Sequence, residues 1–309
     1  MKTTLVLLLL LILLLSSLTV PLTQDSLRSH ASASAVSYLV TNYNRTIGLI
    51  PEIPRGNTYW IYSDNLLASI VLSSHTENKT LIDIANNIST TMDRYTTNLA
   101  HGANQYMVFY SGIGAFNDSS NYDLASVDGA TIKITLNNGS LPLDPASYGD
   151  IALLKAIYYH YHGGYSNATK YFQIGRAMYD GIGIKDTVFT SGPEGGIYQT
   201  YKLALFILAA RVLEESIPDN ATSILTSQEA TNGGFSTGYR YQGGTLESEG
   251  STNTETTSLA ILALSYPPSL TQPSILLYTA EIVAATALVA VIVTVAVIAK
   301  RRRPRSVRS

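Results

Sequence analysis

Gln228-Glu229-Ala230-Thr231-Asn232-Gly233-Gly234-Phe235 leads, after a polar stretch, to Asn253-Thr254-Glu255-Thr256-Thr257-Ser258-Leu259-Ala260. Paired glycines favour a tight turn. The second segment opens a helix whose later residues are apolar. An earlier copy of this arrangement is visible. Glu194-Gly195-Gly196-Ile197-Tyr198 stands just before the helical run Tyr201-Lys202-Leu203-Ala204-Leu205. Recurring units of turn and helix stack side by side, and a row that closes makes a ring.

Helical periodicity extends outward from these copies. Apolar residues recur at spacings of three and four over 26–42, 63–73, 80–95, 149–162, 167–180, 199–215 and 252–264. The helices come in pairs joined by short polar loops. Strand signals are few. Ile132, Ile134 and Leu136 alternate with polar residues, and Asn137-Asn138-Gly139 reads as a turn. Residues 106–110 are expected to pair with 130–136 as a small hairpin inserted between helices.

Three further stretches belong with the glycine-led copies. These are 57–68, with Trp60, Asp64 and Asn65, then 180–186, then 198–205. Together they resemble the repeats of α/α-toroid proteins, the six-hairpin glycosidase-like and terpenoid-cyclase-like groups, and a related set of archaeal cell-surface proteins. The resemblance covers about residues 35–265. It implies an all-α fold, an α/α toroid with the small inserted β-hairpin. The Asp-x-Asp-Asp acid motif of the cyclases and the zinc set of the prenyltransferases are absent. The chain is short for six hairpins, so a compact or incomplete ring is expected. Fold alone does not give chemistry.

The ends of the chain speak to its location. Lys2 precedes an apolar run from Leu5 to Leu15, the pattern of a secretory signal peptide over 1–23. No small-x-small pair follows closely, so a cleaved signal and an uncleaved anchor both stay open. The ectodomain is read as 24–266 and a proline-stiffened stalk as 267–275. The stretch 276–299 is long enough for a membrane span. Lys300, Arg301, Arg302, Arg303 and Arg305 then mark a cytoplasmic tail over 300–309. The expectation is a single-pass type I protein of the cell membrane, with its ectodomain outside. Asn-x-Ser/Thr sequons at Asn44, Asn78, Asn87, Asn117, Asn138, Asn167 and Asn220 all fall between the two apolar ends. They read as glycosylation sites on exposed turns.

Composition narrows the chemistry. The chain has no Cys, which excludes disulfides, thiolate metal sites and a Cys nucleophile. Of its 20 Lys and Arg, seven lie at Lys2 or beyond residue 299. Of its 22 acids, only Glu281 lies outside 24–266. The ectodomain therefore carries a net charge near −8, which argues against nucleic-acid binding. No metal site or cofactor is expected. His160 and His162 point to different sides of a helix. The glycine pairs lack the Lys-Ser/Thr of a phosphate loop, and there is no Gly-x-Ser-x-Gly.

In a ring of this kind the polar starts of inner helices converge on a central mouth. Asp64, Asp150 and Glu255 occupy such starts and are the candidate catalytic residues. Two carboxyls facing a sugar across its glycosidic bond are what glycoside hydrolysis requires. Tyr59, Trp60, Asn65, Tyr198, Tyr201, Lys202 and Asn253 are candidate ligand contacts, as are Tyr239 and Tyr241 in the polar loop 236–251. A plainer explanation competes. Thr252 and Glu255 fit a capping box, with Thr at N-cap and Glu at N3. Asp64 and Asp150 fit acidic first turns. Because capping accounts for all three acids, the sequence favours a non-catalytic module that binds surface glycans or surface proteins. The alternative is an extracellular glycoside hydrolase or lyase acting through the paired carboxylates.

Overall fold

The structure is a computed structural model that describes residues 24–56, 58–96, 104–109, 114–190 and 192–265, with side chains from residue 33 onward. The chain opens with α1 (Gln24–Asn42), β1 (Tyr59–Ile61), α2 (Tyr62–Ser73) and α3 (Lys79–Thr96). A short 3-10 turn (Gln105–Phe109) and strands β2 (Ser120–Val127) and β3 (Ala130–Leu136) follow. Next come α4 (Gly149–Tyr161), α5 (Tyr165–Ala177), β4 (Tyr198–Gln199), α6 (Thr200–Val212) and α7 (Asp219–Thr226). Strands β5 (Ser236–Gln242) and β6 (Thr245–Thr252) and helix α8 (Thr254–Ser265) complete the described chain.

Hydrophobic pattern sorts the helices into two layers. Every residue of α2 from Tyr62 to Leu72 is buried, and α6 and α8 are buried almost as completely. Helices apolar on all sides must be covered on all sides. α3 instead buries a single stripe, with Leu81, Ala85, Ile88 and Met92 inward. Accordingly α2 packs on α8, α8 on α6, and α6 on α4. Each inner helix carries an outer one: α3 on α2, α5 on α4, α7 on α6, and α1 on α8. The 3-10 turn touches both α2 and α4, with Met107, Val108 and Phe109 buried. Phe172 of α5 stacks on Phe206 of α6 with ring centroids 5.9 Å apart. Gly175 lets α5 lie close to α4, since a Cβ there would stand 2.7 Å from the Leu153 side chain.

The strands form two three-stranded sheets, ordered β1-β3-β2 and β4-β5-β6. β1 runs parallel to β3, and the other pairings are antiparallel. Two-residue turns join the hairpins: Asp128 and Gly129 at φ 51° and 81°, and Gly243 and Gly244 at φ 58° and 86°. Such left-handed pairs match the twist of the strands they join.

This overturns the expected all-α fold, the α/α toroid with one inserted hairpin: the architecture is mixed α/β. Strand β3 lies where alternation places it, but its partners are β1 and β2. Residues 105–109 are a 3-10 helix instead, because Tyr106, Met107, Val108 and Phe109 are all buried and show no strand alternation. The polar loop expected over 236–251 is the β5–β6 hairpin. Its exposed outer face masks the period-two pattern. No helix among the described residues is long and apolar enough to cross a membrane. The C-terminal transmembrane helix expected over 276–299, the stalk, the tail and the signal segment 1–23 lie outside the described residues.

Candidate functional site

The four inner helices begin at the same pole of the molecule. Three of them follow a strand with little or no break: β1 runs into α2, β4 into α6, and β6 into α8 through Asn253. The residues preceding α2, α4 and α6 are Ile61, Tyr148 and Gln199, all extended, and none donates or accepts a side-chain capping bond. Segment 50–52 ties two helix starts together. Asn65 holds Ile50 from both sides, accepting from its N–H at 2.8 Å and donating to its carbonyl at 2.9 Å. Thr254 then donates its N–H to the Glu52 carbonyl at 3.0 Å and its hydroxyl to the Pro51 carbonyl at 2.7 Å.

At this pole lies a cavity of about 320 Å³. Asp64, Asp150 and Glu255 line it together, from three different helices, with Tyr106 and Tyr148 beside them. The sequence thus places its three candidate acids in one cavity.

The Thr252–Glu255 capping box does not hold, although all three acids do lie in first turns. Asn253 is the cap of α8, accepting the Thr256 N–H on its Oδ1 at 2.8 Å. Glu255 is therefore the second residue of the helix and not the third, and its carboxylate accepts the Tyr106 hydroxyl instead. Thr252 accepts a bond from the Asn232 side chain at 3.1 Å and caps nothing. Asp64 is 2 % exposed, and its Oδ2 has no hydrogen-bond partner. Its Oδ1 takes the Ser63 hydroxyl, at 3.3 Å, and the carboxyl also takes its own backbone N–H. Asp150 accepts the Tyr201 hydroxyl on Oδ2 at 3.1 Å, while its Oδ1 lacks a hydrogen bond and stands 3.9 Å from the Lys202 ammonium. Buried polar atoms are normally satisfied, so two buried carboxyl oxygens without a hydrogen bond, on acids beside one cavity, call for an explanation.

The electrostatics follow from burial and crowding. Burial pushes the Asp64 carboxyl well above its ordinary range, and the nearby charges of Glu255 and Glu52 push it the same way. Burial also raises Glu255, against the opposing hydrogen bond from Tyr106. Asp150 is raised by burial, partly offset by Lys202 and by the Tyr201 hydroxyl. Tyr106 and Tyr201 are themselves raised, first by burial and then by the acids around them, so both hydroxyls stay protonated donors. Lys202 bonds Asp186, whose other oxygen accepts the Gly149 N–H at 2.9 Å.

The candidate ligand residues divide. Tyr201 and Lys202 stand behind Asp150. Asn65 and Asn253 are occupied by backbone groups. Trp60 is a core side chain at 2 % exposure. Tyr59 is exposed on the first sheet, with the Lys133 ammonium 3.9 Å from its ring centre. Tyr198 stacks on buried Tyr239, donating to Asp180 at 2.7 Å, while Tyr239 donates to the Ile182 carbonyl at 2.9 Å. Tyr241 lies half-exposed on β5. None of these nine lines the cavity wall. Sequence reasoning missed Tyr106, read as strand, and Asp186, which closes the 180–186 stretch it used only for fold. Among the described residues no group of three His, Cys, Asp or Glu is placed to hold a metal ion. Comparison with protein-family models, with curated proteins and with solved structures returned no match.

Proposed function

We propose that the chain is a glycan-processing enzyme of the cell surface, a hydrolase or lyase, and that its acid–base groups are Asp64, Glu255 and Asp150. The observation that carries this reading is the convergence of Asp64, Asp150 and Glu255, from three different helices, on one cavity. Three buried acids with one nearby cation destabilise a fold, and perturbed acids concentrated in a cleft are characteristic of catalytic sites. The volume, about 320 Å³, is at the small end of ligand sites and suits one sugar ring. Surface location rests on the two apolar ends and the sequons between them.

Roles follow from environment. Burial raises Asp64 and Glu255, and the charge of Glu255 raises Asp64 further, so the pair favours keeping a proton. The protonated member donates to the glycosidic oxygen as the bond to the sugar carbon breaks. Asp150, beside Lys202 and Tyr201, is the acid best supplied with groups that favour its ionised form. It accepts the proton of the incoming water, or, in a lyase, the proton removed from the ring.

The test is incubation of the full chain with a panel of polysaccharides, scoring new reducing or unsaturated ends. Cleavage that falls by about a hundredfold or more in Asp64→Asn and in Asp150→Asn, with folding intact, supports the assignment. Retention of a glycan without cleavage would leave the cavity a binding site only.

A further inference from the structure

We infer that the cavity is selective for a sugar unit bearing a free ammonium group, takes a neutral sugar less well, and rejects an anionic one. This deepens the proposed function and rests on its reading of the cavity as the sugar site.

Charge is the first ground. Among the described residues lining the cavity, Asp64, Asp150 and Glu255 are acidic and none is Lys, Arg or His. The one cation nearby, Lys202, stands behind Asp150 and is committed to Asp186. A uronate or a sulfated sugar would meet three acids with no counter-charge.

Hydrogen-bond capacity is the second ground. Several polar side chains of the wall are already engaged as donors elsewhere. Asn104 donates to the Thr135 carbonyl at 2.9 Å, and Asn137 donates to the Asn117 carbonyl at 3.1 Å. Ser63 donates to Asp64, and Tyr106 to Glu255. What the wall offers beside them is the acceptors of three carboxyl groups, those of Asp64, Asp150 and Glu255. An ammonium has three donors and no acceptor, which matches a wall that carries three carboxyl groups. A charge-assisted bond to a carboxylate is shorter and stronger than a hydroxyl bond.

Binding such a cation has a linked consequence. The titratable groups lining the cavity are Asp64 from α2, Asp150 from α4, Glu255 from α8, Tyr106 from the 3-10 turn and Tyr148 before α4; Tyr201, Lys202 and Asp186 stand behind Asp150, and Glu52 lies near Asp64. The added positive charge favours the ionised acids, so an amino sugar displaces a proton on binding and a neutral sugar does not.

The experiment is calorimetric titration of the full chain near neutral pH with glucosamine, glucose and glucuronate, each in two buffers of different ionisation enthalpy. Glucosamine is expected to bind about tenfold or more tighter than glucose, with proton release, and glucuronate not at all. Asp64→Asn should bring glucosamine and glucose to within about threefold. Equal binding of glucosamine and glucose, or the tightest binding by glucuronate, would overturn the selectivity and leave the sugar site standing. Absence of binding by all three, together with no cleavage of any polysaccharide, would remove both. The three-ligand comparison on the unaltered chain decides the matter even where the variant fails to fold.

Discussion

The Lys202 ammonium bonds Asp186 while standing 3.9 Å from Asp150, so one buried cation serves two acids. Asp186 in turn holds the first N–H of α4 through Gly149. The start of α6 is thereby fastened to the start of α4 through charge, and the position of Asp150 depends on it.

Lys202→Met should therefore be costly. It leaves Asp150 and Asp186 buried without their counter-ion, a loss of about 3–5 kcal/mol for breaking such a pair. Chemical denaturation of the variant should show a lowered midpoint. Adding Asp186→Asn should recover part of the loss, and no recovery would mean that Lys202 acts through packing alone.

The pH dependence of stability has a definite sign. Asp64, Asp150 and Glu255 are all raised in the folded chain relative to the unfolded one. Between the unfolded and folded values the folded state holds more protons, so stability rises as pH falls from neutrality toward mild acid. Melting temperature should be higher near pH 5 than near pH 7.5, and Asp64→Asn should flatten that slope. The same substitution should stabilise the protein near neutrality. A melting temperature that rises with pH over this range would contradict the burial of the three acids.

Asn253→Ala should lower stability by about 1 kcal/mol through loss of the α8 cap. Thr252→Ala should cost less, because Thr252 accepts only the Asn232 side chain. Glu255→Gln should leave the helix start intact while altering catalysis. The order of the two alanine variants in thermal melts separates the Asn253 cap from a Thr252–Glu255 capping box.

The sequons should differ in occupancy. Asn78, Asn87, Asn138 and Asn167 are exposed. Asn117 and Asn220 instead donate Nδ2, the atom a glycan would occupy, to the carbonyls of Gly139 and Gly181 at 3.0 and 2.6 Å. Glycopeptide mass spectrometry on the protein made in an N-glycosylating host should find glycan at the first four and little at Asn117 and Asn220. Full occupancy at Asn220 would mean the site is modified before its loop closes.

The apolar inner helices were legible because runs such as 66–72 and 203–210 bury every face. Their polar starts pointed to Asp64, Asp150 and Glu255 for the same reason: an acid opening a fully buried helix must face something. The cap of α8 was misplaced by one residue, and one helical residue is about 100° of rotation, enough to move Glu255 from cap to cavity. The sheets were hidden by their exposure. β2 and β6 carry hardly a buried side chain, so alternation has nothing to mark. The signals present were the two-residue turns, Asp128-Gly129 and Gly243-Gly244. Helix α7 escaped because it is eight residues long and buries only Ala221, Thr222, Ile224 and Leu225.

The passage of strand into helix has a consequence for inheritance. β4 and β6 flank β5 in one sheet, and they continue into α6 and α8. The distance between Lys202 and Glu255 is thus set by strand spacing, about 4.8 Å per neighbour, and by register, about 3.4 Å per residue. A residue inserted within β5 or β6 would shift one acid along the cavity by that step and silence the site. A residue inserted at Gly243-Gly244 lies beyond the last pair of the hairpin and shifts neither. Length variation in such a chain is confined by its chemistry to the hairpin tip.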